Sequence, residues 1–204
     1  MSLESKTLYI QSVLDQNLRL ILDERWNSKN TNHRQNIRNF LGTEFSSHFS
    51  REQLAKLNDL NWLPEASDGF LSISHCSLFG GFVFSKHQVG FDIEERRRIS
   101  PQLLNRVCSA TEIQECPHTE FLWVAKEAGF KALSQMAPTV NHPSPDTLEH
   151  QKLLISDLTC FEWQSYYENQ IFGFRLKSKK PLEFSLNTGF IFTEGPCLFG
   201  FYFK

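Results

Sequence analysis

The sequence predicts an α+β protein of two pseudo-symmetric halves, each an antiparallel sheet packed with helices. Three observations lead there. Nineteen phenylalanines concentrate in the middle and the C-terminal third, in alternating runs typical of strands with one buried face. Thr119 to Met136 sets Leu122, Ala125, Gly129, Ala132, Leu133 and Met136 near helical repeats. Helices precede strands in each half, so that residues 1–88 and 89–204 read as similar units.

In chain order, Leu3 to Leu14 fits a first strand or the start of a helix equally well. Leu18, Ile21, Leu22 and Arg25 fall at helical spacing and predict a short helix through Trp26. After a polar break, HRQNIRNFLGTEF reads as a helix with Ile37, Phe40 and Leu41 inward, and with Arg34 and Arg38 four apart on another face. Arg51 to Leu60 predicts another helix, and Asn61 to Gly69, with Trp62 and Pro64, a loop. FLSIS, which ends on His75, and GGFVFS read as two strands, and VGFDIEE as a third. Ser100 and Pro101 start a helix to Val107. SATE, Ser109 to Glu112, has capping-box spacing, which lets Glu112 reach back to a backbone N–H. Ala137 to His150 holds three prolines and no period, the mark of a loop. CFEWQSYY, QIFGFRLK, PLEFSLN, GFIFTE and CLFGFYF then read as strands.

Composition narrows the function classes. Hydrophobic residues at 40% and charged residues at 22% describe an ordinary globular protein, and the formal net charge of −2 supplies no global pull toward nucleic acid or an anionic membrane. No apolar run approaches the roughly 20 residues of a membrane span. The N-terminus lacks a basic region followed by an apolar stretch, so no signal peptide is expected and the cytoplasm is. Five scattered cysteines do not make a disulfide framework, and Cys108, Cys116 and His118 lack the paired spacing of zinc sites.

The chemistry centres on VGFDIEE. Alternation along a strand points Asp92 and Glu94 one way and Phe91 and Ile93 the other. Two acids so placed repel unless something positive lies between them, and a hard divalent cation such as Mg²⁺ answers that need. Glu127 and Lys131, one turn apart on the long helix, make a third carboxylate and an ammonium available. His75, at a strand end beside a turn, is placed to touch a bound anion. Arg34 and Arg38 fit either a solvated face or a phosphate clamp. Arg96 to Arg98 read as solvated surface or as a patch that steers an acidic partner.

The combination of SISHC at 72–76, VGFDIE at 89–94, SATE at 109–112 and WVAKEAGFK at 123–131 resembles the 4′-phosphopantetheinyl transferases of the Sfp type, single chains with two similar halves. That family carries Gly-x-Asp-x-Glu followed by Trp-x-x-Lys-Glu-x-x-x-Lys, and both runs are intact here. The resemblance implies that Asp92, Glu94 and Glu127 hold Mg²⁺ against the pyrophosphate of coenzyme A, and that Lys131 and Lys126 match signature lysines, Lys131 at the phosphates. It implies that His75 touches a coenzyme A phosphate, that Glu112 or a metal-held water takes the serine proton, and that Arg34 holds the 3′-phosphate. On this reading residues 1–88 supply phosphate contacts and residues 89–204 the metal site and transferase motifs. NWLPEASDG stands where many relatives carry a Gly-Lys-Pro segment.

The activity implied is transfer of 4′-phosphopantetheine from coenzyme A to a serine of an acyl or peptidyl carrier protein by a monomeric holo-carrier synthase, with release of 3′,5′-ADP. Such chemistry leaves the enzyme mainly positioning and charge neutralisation. Two alternatives stand beside it: a Mg²⁺-dependent phosphodiesterase or pyrophosphatase, with water as nucleophile, and a relative that binds carrier or coenzyme A without turnover.

Overall fold

A computed structural model describes residues 2–14, 18–56, 65–66, 69–134, 153–182 and 186–204. The predicted loop at Ala137 to His150, most of the one at Asn61 to Gly69, and the centre of PLEFSLN lie outside the described residues. Leu3–Leu14 is a helix, α1, which settles the ambiguity of that stretch. Strand β1, Leu18–Asp23, follows, then a 3₁₀ turn over Glu24–Trp26. The short helix expected from Leu18 is therefore corrected. LRLILD alternates as well as it spirals, and its pairing from Leu18 opposite Ser85 to Asp23 opposite Gly80 decides between the two patterns. Helices α2, His33–Glu44, and α3, Arg51–Lys56, come next.

Strands β2, Glu65–Ala66, β3, Gly69–His75, and β4, Gly80–Ser85, join β1 in an antiparallel sheet of order β1-β4-β3-β2. A second antiparallel sheet has the order β5-β9-β8-β7-β6. Its strands are β5, Val89–Glu95; β6, Leu158–Tyr166; β7, Ile171–Ser178; β8, Thr188–Glu194; and β9, Cys197–Phe203. Between β5 and β6 lie helices α4, Pro101–Val107, α5, Ala110–Glu115, and α6, Phe121–Ser134. The protein is thus α+β, with two antiparallel sheets packed with helices. Among the described residues no helix is long and apolar enough to cross a membrane.

The phenylalanine alternation sorts the core. Phe91, Ile93, Phe190, Phe192, Phe199, Phe201 and Phe203 face one cluster, which α1 and the first sheet complete with Ile10, Leu18 and Val83. Their neighbours along the strands, Ile191, Leu198 and Tyr202, face the opposite way, where α6 covers them with Leu122, Ala125, Ala128 and Ala132. The first sheet turns Leu71, Phe82 and Phe84 toward Ile37 and Leu41 of α2. Since Phe91 and Ile93 occupy the central cluster, Gly90, Asp92 and Glu94 are left on the α6 side.

Two details lock β5 in place. It ends its sheet, yet its outer edge is met by β3: the Phe91 N–H donates to Ser72 Oγ (2.9 Å) and the Ile93 N–H to Ser74 Oγ (3.1 Å). Two buried serines thereby take the place of a neighbouring strand. At Gly90, a Cβ would stand 1.8 Å from the carbonyl oxygen of Ala128 on α6, a backbone atom that cannot move aside. Gly90→Ala is therefore expected to cost about 3 kcal/mol or more by forcing β5 and α6 apart. Urea denaturation measures it, and an unchanged midpoint would contradict the close approach.

Candidate active site

The site is built where β5, β3 and α6 meet. Lys131, in the last turn of α6, extends Nζ to Asp92 Oδ1 at 2.7 Å, to the Phe91 carbonyl at 2.9 Å and to Ser74 Oγ at 3.1 Å. Ser74 Oγ donates to Asp92 Oδ1 at 2.9 Å. One hydroxyl thus joins the ammonium, the carboxylate and the edge of β5. Sequence reasoning missed Ser74; the signal was the alternation of SISH, which puts Ser72 and Ser74 on the face opposite Leu71.

Glu94 accepts from the Glu95 N–H at 2.9 Å and pairs with Arg98 at 3.3 Å. Burial, helped by the charges of Asp92 and Glu95, nonetheless raises its carboxyl above the ordinary range. Glu127, half-buried one turn before Lys131, is pushed up to about 7, first by burial and then by Asp92, with a smaller push from Glu94 and relief from Lys131. The three acids therefore sense one another, and Glu127 in particular is disfavoured as a carboxylate. All three offer the hard oxygens that suit a divalent cation such as Mg²⁺. In this conformation protein cations occupy two of them, and among the described residues no three His, Cys, Asp or Glu side chains gather closely enough to hold an ion.

The three arginines after β5 are also engaged. Arg98 holds Glu94, Arg97 holds the buried Glu95 at 2.8 Å, and Arg96 pairs with Glu120. Ser77, just past β3, donates to the same Glu95 carboxylate. Arg97 and Arg98 thus fasten the acidic end of β5, while Arg96 reaches the residue just before α6.

Two histidines and an arginine gather near Lys131. The rings of His75 and His33 meet edge to face at 4.2 Å. Burial first, then the charges of His33, Arg34 and Lys131, push the His75 imidazole down to about 4. A depressed histidine favours the folded state above about 6.5 and surrenders that contribution as pH falls toward 4. His33 and Arg34 open α2, whose preceding residue, Asn32, makes no side-chain cap. The uncapped first turn adds partial positive charge to the three side chains. His33 was not anticipated from sequence. Its Nδ1 is 2.6 Å from the Asn30 carbonyl and its buried Nε2 has no hydrogen-bond partner among the described residues. Arg38, the other member of the presumed fork, is buried on the inner side of α2 rather than beside Arg34 in solvent.

Glu112 and Lys126 lie elsewhere. Lys126 is fully buried, with Nζ 2.9 Å from Glu112 Oε1 and 2.6 Å from the Val107 carbonyl. Glu112 also accepts from the Ser109 N–H (2.9 Å), the Ser109 hydroxyl (3.1 Å) and the Cys160 N–H (3.0 Å). Burial opposes its ionisation, but Lys126 and these donors outweigh it and hold the carboxyl below its ordinary value. A saturated, acidified carboxylate is a poor base, and an ammonium so engaged does not reach a ligand phosphate. The roles implied for these two residues by resemblance are at odds with this geometry: the pair ties α5, α6 and β6 together.

Residues 88–175 match the family model of the 4′-phosphopantetheinyl transferase superfamily. No curated protein matches the chain. The matched span holds Asp92 and Glu94, the capping box and all of α6. His75, His33 and Arg34 lie before the matched span and join the site through folding.

Proposed function

We propose that this protein moves the 4′-phosphopantetheine of coenzyme A onto a serine of an acyl or peptidyl carrier protein and releases 3′,5′-ADP. The observation that carries the proposal is the Lys131 ammonium, 2.7 Å from Asp92 across the β5–α6 contact, beside an acid pushed up to about 7, first by burial and then by Asp92. Asp92, Glu94 and Glu127 are the residues that would hold Mg²⁺, which supplies charge neutralisation to a pyrophosphate.

In this reading residues 1–88 contribute the phosphate contacts and residues 89–204 the acids and Lys131. His33, His75 and Arg34 receive the phosphate of the adenosine end at the start of α2. Lys131 exchanges Asp92 for a phosphate oxygen and offsets charge there as the serine oxygen forms its bond to the β-phosphorus and the bridging bond to the α-phosphate breaks. Ser74 holds Asp92 in place throughout. One chain supplies every group, so a monomer suffices.

Incubation of an apo carrier with the protein, coenzyme A and Mg²⁺ is expected to add one phosphopantetheine to the carrier's intact mass, and EDTA to prevent it. Free phosphopantetheine would instead mark a hydrolase; binding of coenzyme A without either product would mark a non-catalytic relative. Separately, the His75 ring followed by NMR is expected to titrate near 4 in the free protein. It is expected to move upward when 3′,5′-ADP binds, because an adjacent anion favours the imidazolium. An unmoved titration would take His75 out of the phosphate site.

A further inference from the structure

We propose that Cys76 and Cys197 form a redox-active pair that a peroxide closes to a disulfide, cross-linking the two sheets. Cys76 follows His75 at the end of β3, and Cys197 opens β9 opposite Glu95. Their sulfurs lie 3.9 Å apart, although 121 positions separate them in sequence. A disulfide has S–S near 2.05 Å, so each sulfur need move only about 1 Å, within reach of side-chain torsion. Both residues are fully buried against the central cluster.

The backbone around Cys76 is pinned. Its N–H donates to the Phe79 carbonyl at 2.8 Å, and its own carbonyl accepts from the Ser28 N–H at 2.7 Å. The Leu78 N–H points at the sulfur itself, 3.5 Å away. Burial and the neighbouring Cys76 push the Cys197 thiol up to about 12, so Cys197 stays protonated. The two sulfurs have distinct parts. The Cys76 sulfur gives up its proton and attacks a peroxide oxygen, the O–O bond breaks, and the departing hydroxide takes that proton and leaves as water, giving a sulfenic acid. The Cys197 sulfur then attacks the Cys76 sulfur; its proton goes to the departing hydroxyl, a second water leaves and the S–S bond remains. Two thiols are oxidised by two electrons and one peroxide is reduced to two waters. Ser77 to Phe79, the half-buried turn beside Cys76, is the segment whose local opening admits an oxidant of that size.

The cross-link spans a long loop and fixes the strand end that bears His75 to the strand that pairs with the Glu94–Glu95 end of β5. Constraint of so long a loop in the unfolded chain is expected to raise the melting temperature by roughly 5–15 °C. The test is treatment of the full, reduced chain with hydrogen peroxide, alkylation of remaining thiols, and peptide mapping without reductant. The expected result is one linked peptide pair containing Cys76 and Cys197, reversed by thiol reductant, with the melting temperature raised. In Cys197→Ala, a sulfenic-acid trapping reagent is expected to label Cys76. Linkage that uses Cys108, Cys116 or Cys160 instead, or oxidation of Cys76 to sulfinic acid in the wild type without a cross-link, would overturn the proposal; the wild-type map alone decides if the variant does not fold.

Discussion

Glu127→Gln is expected to lower phosphopantetheine transfer by roughly 100-fold or more and, in the metal-free protein at pH 8, to raise the melting temperature. The loss follows from removing one of three carboxylates proposed to hold Mg²⁺. The gain follows from linkage. Glu127 has an ordinary value near 4.5 and is pushed up to about 7 in the folded protein. The unfolded chain therefore ionises first, and folding is penalised increasingly as pH rises from 4.5 to 7 and fully above it. A neutral glutamine escapes that penalty, on the order of 2 kcal/mol, or roughly 4–8 °C. The two proteins should melt together near pH 4.5 and diverge toward pH 8, with Mg²⁺ stabilising the wild type more than the variant. A wild type that gains nothing from Mg²⁺ would refute the metal site, and a variant that is less stable at pH 8 would refute the ionisation penalty at Glu127.

Asp92→Ala behaves differently. Repulsion among the acids taken alone would make the loss of Asp92 stabilising in the metal-free protein. The structure reverses the sign here, because Asp92 is the partner of both Lys131 and Ser74. Its removal strands a half-buried ammonium and is expected to destabilise the metal-free protein by about 1–3 kcal/mol while abolishing transfer.

Lys126→Ala carries the largest expected effect on stability, a loss of about 3–5 kcal/mol. It leaves the Glu112 carboxylate buried at 4% exposure with its counter-charge gone. Glu112→Gln in the same background is expected to recover much of the loss, since an amide requires no counter-ion. Denaturant titration of the two single variants and the double variant measures the coupling. Glu112→Gln alone, assayed where it is folded, should retain turnover within a few-fold of the wild type. A far larger drop in turnover at unchanged stability would return Glu112 to the role of base.

Much of this site is legible because it is written in local periods. The two-residue period of VGFDIEE puts Asp92 and Glu94 on one face, and the four-residue interval in WVAKEAGFK puts Glu127 and Lys131 on another. The capping box at Ser109 and Glu112 forms as its spacing predicts. The same local reasoning misleads at Leu18 to Asp23, where two periods fit six residues and only the partner strand β4 chooses.

By itself, then, the sequence determines the α+β class, the strands and helices that carry the motifs, and which acids share a face, because each depends on residues within a turn or two of one another. Only the tertiary structure decides what those faces meet. It sets Ser74 between Lys131 and Asp92, His33 against His75 and Lys126 on Glu112, pairings across as many as 57 positions that no local period encodes. Burial is the physical reason: an ionisable group taken from water must find its counter-charge among whatever elements the fold brings to it, and that choice belongs to packing.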